Sequence, residues 1–190
     1  FRSDRAKARE KFGLTDDDQL VVSFWGSMGA KYMNEHMAGE LALECKNGVP
    51  YHHVHATGAA AREWLPRMAK EQGADFDAHP NIEVTEYIYD MATVMRAADL
   101  VICRAGASTL SELTALGVPA ILVPSPNVTN HHQEKNAALL GDHGAALVLP
   151  TFIGQSGVFF AEGAAWVCAA ALNLVWYYMR IGKIKREMMQ

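Results

Sequence analysis

The sequence predicts an α/β fold, a Rossmann-like parallel sheet with helices on both faces. Three observations carry that prediction. Six short apolar runs recur along the 190 residues. Stretches with helical patterning lie between them, the alternation that builds a covered parallel sheet. Two of the runs lead at once into small, glycine-containing loops followed by a helix start, where ligands of such sheets bind.

The elements follow in order. "QLVVSF" (residues 19–24) reads as a buried strand, with a helix over 30–44 after it. "YHHVHAT" (51–57) is a second strand, followed by a helix over 59–72. "IEVTEYI" (82–88) is a third, followed by a short helix over 91–97. "DLVICR" (99–104), "PAILVP" (119–124) and "AALVL" (145–149) supply three more strands. The opening "FRSDRAKAREKFGL" receives no element; it reads as the middle of something longer.

Composition narrows the function classes. Apolar residues make up 50% and charged residues 20%, a globular balance with enough chain for a core. A net charge of -4 argues against a nucleic-acid partner. Cys45, Cys103 and Cys168 are odd in number and have no CxxC spacing, which predicts free thiols in a reducing cytoplasm.

The two loops are the candidate sites. In "WGSMGA" (25–30), Gly26 and Gly29 permit close backbone approach, and the following helix offers unpaired N–H groups to an anion. In "CRAGASTLSE" (103–112), small and hydroxyl residues precede Glu112. Two readings of Glu112 stay open on spacing. Thr109-Leu110-Ser111-Glu112 fits a capping box, and a carboxylate at this crevice also suits a ribose diol. Tight turns account for either loop without a ligand. "DDD" (16–18) and "DFD" (75–77) read as surface loops. "HHVH" sets His53 and His55 on one strand face; without a third ligand nearby, satisfied strand residues are favoured over zinc. No cofactor is expected.

The order "WGSMGA", "EYIYDMATVMRAADLVICRAGASTLSEL" and "GVPAILVPSPNVTNHHQEKNA" resembles the C-terminal half of the MurG family. The resemblance covers about residues 1–150 and is most specific over 86–137. It implies the C-terminal half of a GT-B glycosyltransferase, a donor-binding domain for UDP-N-acetylglucosamine. The reaction implied is inverting transfer of that sugar to lipid I, giving lipid II for peptidoglycan. Matching positions imply Arg2, Gly26 and Ser27 at the diphosphate, and Ile88 reading uracil through its backbone between Tyr87 and Met91. They imply Ala107, Ser108, Thr109, Leu110 and Ser111 as loop and helix start. Glu112 falls on the ribose hydroxyls, and His132 and Gln133 face the sugar.

The resemblance also implies what lies elsewhere: the catalytic base, the lipid I site and the membrane-docking patch belong to the family's N-terminal domain. The implied location is therefore cytoplasmic, peripheral at the inner face of the plasma membrane. Two alternatives stand beside this: a stand-alone donor-binding subunit of a two-polypeptide enzyme, and a related glycolipid glycosyltransferase using another UDP-sugar.

Two departures accompany the resemblance. Trp25 and Met28 replace a glycine and a glutamine of the family's first loop, and an indole there is expected to crowd the diphosphate. Residues 151–190 read as a divergent helical segment, expected to pack on or near the domain, in which 163–179 carry no charge. A buried helix is the favoured reading of that run, ahead of an in-plane membrane contact or a span.

Overall fold

The computed structural model describes residues 2–125, 128–142 and 146–148. Thirteen segments follow one another along the described chain: α1 (Arg2–Glu10), β1 (Leu20–Phe24), α2 (Lys31–Asn47), β2 (His52–Ala56), α3 (Trp64–Glu71), β3 (Ile82–Thr85), α4 (Met91–Ala97), β4 (Leu100–Cys103), α5 (Ala107–Leu116), β5 (Ala120–Leu122), a 3-10 turn (Thr129–His131), α6 (His132–Asp142) and β6 (Ala146–Val148). All strand pairs are parallel, in the order β3-β2-β1-β4-β5-β6.

The central strands form here because both of their faces are covered. β1, β4 and β5 are buried at every position. Alternation divides them between two layers. Leu20, Val22 and Phe24 of β1, Val101 and Cys103 of β4, and Leu122 of β5 join one apolar cluster. Ala8 of α1, Val94 and Met95 of α4, Leu110 and Leu113 of α5, and Ala137 of α6 cover them. The intervening residues, among them Val21, Ser23, His53, His55, Ile102 and Ile121, face the opposite layer and are also buried. There α2 packs with α3. Winding therefore runs one way from β1 through β2 to β3, and the other way from β4 through β5 to β6. The reversal falls between the neighbours β1 and β4, where a doubly wound sheet opens a crevice beyond its strand ends.

Some sequence expectations change. Residues 2–10, left without an element, form α1. Its apolar residues are only Ala6 and Ala8, so no apolar stripe betrays it. Arg9 holds it instead. That side chain is 2% exposed and donates to the Ala97 carbonyl at 2.8 Å, to Asp99 at 3.0 Å and to the Thr15 carbonyl at 2.8 Å. Several fixed donors on one planar group make a buried arginine tolerable. α3 begins at Trp64 rather than 59, because Gly58, at φ 74°, starts a turn. β3 ends at Thr85, so residues 86–88 are loop.

Asp18 accepts from the Thr15 amide and hydroxyl, and Asp75 from the Ala78 amide, so both Asp runs sit in local turns. Cys45 and Cys103 are buried free thiols. No helix among the described residues is long and apolar enough to cross a membrane. Residues 163–179 and Cys168 lie outside the described residues.

Candidate functional site

The two glycine loops leave the carboxyl ends of β1 and β4, which are hydrogen-bonded neighbours. They arrive at helix starts with the same property, one that α3 behind its Glu63 N-cap shares. α2 has Ala30 as its N-cap and α5 has Gly106, and neither supplies a side-chain cap. The first helical bonds are donated by Asn34 to Ala30 and by Leu110 to Gly106, at 2.9 and 3.0 Å. The amides of Lys31, Tyr32 and Met33, and those of Ala107, Ser108 and Thr109, precede those bonds. Such orphan donors carry the positive end of the helix dipole. Neither first turn holds an acidic residue that would neutralise them. α4 is different: Asp90 caps it, accepting from the Thr93 amide.

In the first loop, Gly26 (φ 90°) and Gly29 (φ 73°) take the left-handed backbone that L side chains disfavour, closed by a Gly29 N–H to Gly26 carbonyl bond at 3.0 Å. Gly26, Ser27 and Met28 are exposed at its tip. Trp25 does not crowd this surface. Its indole is 5% exposed and packs inward, 6.2 Å from the His55 ring, which corrects the expectation of a blocked loop.

In the second loop, Ala107 and Ser108 are exposed, and Glu112 is exposed further along the helix. The capping box does not form. α5 starts two residues before Thr109, so Glu112 lies beyond the first turn. Among the described residues no hydrogen bond or ion pair engages Glu112. Leu110 departs from its expected role: its side chain is in the core and its amide is committed to Gly106. The Ser111 hydroxyl donates to the Ala107 carbonyl at 3.0 Å.

The other expected positions are partly gathered here. Ile88 is buried in the cluster shared with Phe24, Ala105 and Leu110, and among the described residues its backbone N–H and carbonyl form no hydrogen bond. Unpaired main-chain groups beside a crevice are suited to reading a base edge. Met91 packs on the same cluster, while Tyr87 is exposed and its ring lies 5.7 Å from that of Tyr89. His132 opens α6 and is exposed. The Gln133 carboxamide oxygen accepts from the Ser125 amide at 2.8 Å, tying α6 to the exit of β5. Asn136 donates to the Ala105 carbonyl at 3.2 Å and ties it to the second loop. Arg2 begins α1.

One residue escaped the sequence reading. Arg104, half-buried between β4 and the second loop, donates to the Val123 and Pro124 carbonyls at 3.2 and 3.0 Å. Its guanidinium is held at the exit of β5; a basic residue directly after a buried strand was the available signal.

His53 and His55 are not a metal pair. All four ring nitrogens have protein partners: His53 has Ser23 and Glu44, and His55 has Ser23 and Asn34.

Comparison with known proteins identifies the family of the chain. Residues 20–151 match the model of the glycosyltransferase family 28 C-terminal domain. A relative from Acetivibrio thermocellus, named "UDP-N-acetylglucosamine--N-acetylmuramyl-(pentapeptide) pyrophosphoryl-undecaprenol N-acetylglucosamine transferase", is 48% identical over 145 residues, 76% of this chain and 38% of its own. One of the same name from Desulforudis audaxviator is 42% identical over 164 residues, covering 85% of this chain and 43% of its own. The crystal structure of Acinetobacter baumannii MurG superposes with a TM-score of 0.65 at 30% identity, over 88% of this chain and 44% of that one. The glycosyltransferase WaaG shares the fold, with a TM-score of 0.57 at 17% identity. The chain thus spans about two fifths of the length of these curated relatives. It belongs to glycosyltransferase family 28 and carries that family's C-terminal domain.

Proposed function

We propose that this chain is the donor-binding part of an inverting glycosyltransferase that transfers N-acetylglucosamine from UDP-N-acetylglucosamine to lipid I. The observation that carries the reading is the pair of uncapped helix starts, α2 and α5, on the neighbouring strands β1 and β4. A diphosphate brings the negative charge that those amides lack. Ser27 and Arg2 add a hydroxyl and a guanidinium to it. The free backbone of Ile88 reads the uracil, and Glu112 accepts from the ribose hydroxyls. His132 and Gln133 meet the sugar, with the Gln133 amide nitrogen as donor because its oxygen is engaged.

Catalysis then needs a base for the acceptor hydroxyl and stabilisation of the departing UDP. The second is what these residues supply. Base, lipid acceptor site and contact with the inner face of the membrane come from the rest of the enzyme, and the domain needs no metal or cofactor. The names carried by the relatives support the choice of donor and acceptor.

Calorimetric titration of the purified chain tests this. UDP-N-acetylglucosamine and UDP should bind, and UDP-glucose more weakly than the N-acetylated sugar. Equal binding of both sugars would point to a glycolipid glycosyltransferase of other specificity. No heat with any of the three would end the nucleotide reading.

A further inference from the structure

Behind the first loop runs a chain of buried polar groups that the transfer reaction leaves unexplained. Ser23, Asn34, Glu44, His53, His55 and Thr57 are all 2% exposed or less. Their bonds are short: Glu44 to His53 Nδ1 at 2.8 Å, His53 Nε2 to Ser23 Oγ at 2.8 Å, and Ser23 Oγ to His55 Nδ1 at 2.7 Å. His55 Nε2 then meets Asn34 Oδ1 at 3.2 Å, and Asn34 Nδ2 meets the Thr57 carbonyl at 2.8 Å.

The far end fixes the direction of the whole chain. A carbonyl only accepts, so Asn34 donates to Thr57 and its oxygen must accept from His55 Nε2–H. His55 Nδ1 then carries the lone pair and accepts a hydrogen bond from the Ser23 hydroxyl. Ser23 oxygen in turn accepts from His53 Nε2–H, which leaves one proton between His53 Nδ1 and the Glu44 carboxylate. Burial first, and then the electrostatic influence of His53, drives the His55 pKa down to about 3, so the ring stays neutral, and Asn34 Oδ1 selects its tautomer.

The Thr57 carbonyl held at the end is the surface on which the first loop rests. A Cβ at Gly29 would stand 2.3 Å from that oxygen and 3.1 Å from Asn34 Nδ2, and one at Gly58 would stand 2.3 Å from the Gly29 nitrogen. The Ala59 amide also reaches the Ser27 carbonyl at 3.4 Å. We propose that Ser23, His55 and Asn34 are positioning residues that brace the 26–30 loop through the Thr57 carbonyl, and so set the strength with which it holds a nucleotide's diphosphate. The ligand half of this statement rests on the donor-binding reading above.

Two variants test it in the full 190-residue chain: Asn34→Asp, which keeps size but removes the donor to Thr57, and Ser23→Ala, which keeps the fold if the first does not. Binding of UDP and of uridine is measured by titration, and amide exchange at Gly29 and Gly58 by NMR. UDP affinity should fall about tenfold in Asn34→Asp and about threefold in Ser23→Ala. Uridine affinity should stay at the wild-type value, and exchange at Gly29 should quicken in both. Parallel loss of UDP and uridine would mark a general structural role and overturn the proposal, as would unchanged UDP affinity. If the wild-type chain binds neither compound, the donor reading fails on its own, and wild-type exchange at Gly29 in the folded variant would still sink the brace.

Discussion

The loops after β1 and β4 look alike in sequence and differ in construction. At Gly29 the backbone is left-handed and an added Cβ would collide with the Thr57 carbonyl at 2.3 Å. At Gly106 the backbone is extended, φ -72°, and the nearest atom to an added Cβ is the Thr109 hydroxyl at 4.0 Å. One glycine is a steric requirement; the other only leaves a helix start without a side-chain cap. A run of small residues after a strand therefore has two physical meanings, and only contacts remote in sequence tell them apart.

Substitution breaks the comparison most sharply at its strained end. Gly29→Ala should cost about 3 kcal/mol of stability, combining the left-handed penalty with overpacking against backbone. Denaturant unfolding measures it, and a cost below about 1 kcal/mol would mean the brace yields.

Charge separates the two helices as well. α2 buries Glu40 and Glu44, while α5 buries no charged residue. Burial, reinforced by Glu44, raises the Glu40 pKa from 4.5 to about 7, and one of its carboxylate oxygens has no partner. The folded form therefore holds this proton more tightly than the unfolded chain does. Its contribution is fully present below pH 4.5 and is lost as pH rises through about 7. Glu40→Gln should thus match the wild type near pH 4 and exceed it by about 2–3 kcal/mol at pH 8. Melting curves across that range give the answer, and a pH-independent difference would contradict it.

At the second loop the expected effect is on ligand rather than fold. Glu112→Gln should weaken UDP by about 1–3 kcal/mol, as loss of a charge-assisted hydrogen bond does, with unfolding nearly unchanged because Glu112 caps nothing. A stability loss without an affinity loss would return Glu112 to a structural role. The smallest effect belongs to Gly106→Ala, which should change stability by less than about 1 kcal/mol.

Much of this was legible in the sequence. β1, β4 and β5 announced themselves as apolar runs because they are buried throughout, and both loops were found from their glycines. α1 was not legible, since Arg9 rather than an apolar stripe holds it in place. The capping box failed for a local reason: a glycine N-cap leaves no side-chain signature, so Thr109 and Glu112 offered a false one. Trp25 failed for a remote one, whereas the histidines were rightly read as satisfied strand residues and only their partners went unnamed. Trp25 turns toward His55, and His55 is satisfied by Ser23 on the next strand and Asn34 on α2. Spacing along the chain does not register such partners.

If the starts of α2 and α5 act together on one diphosphate, amide shift mapping with UDP shows it most directly. The largest changes are expected at Ser27 to Met33 and Ala107 to Thr109, with the self-capped start of α4, at Met91 to Thr93, little affected. Changes centred on α4, or at one of the two open starts without the other, would contradict it.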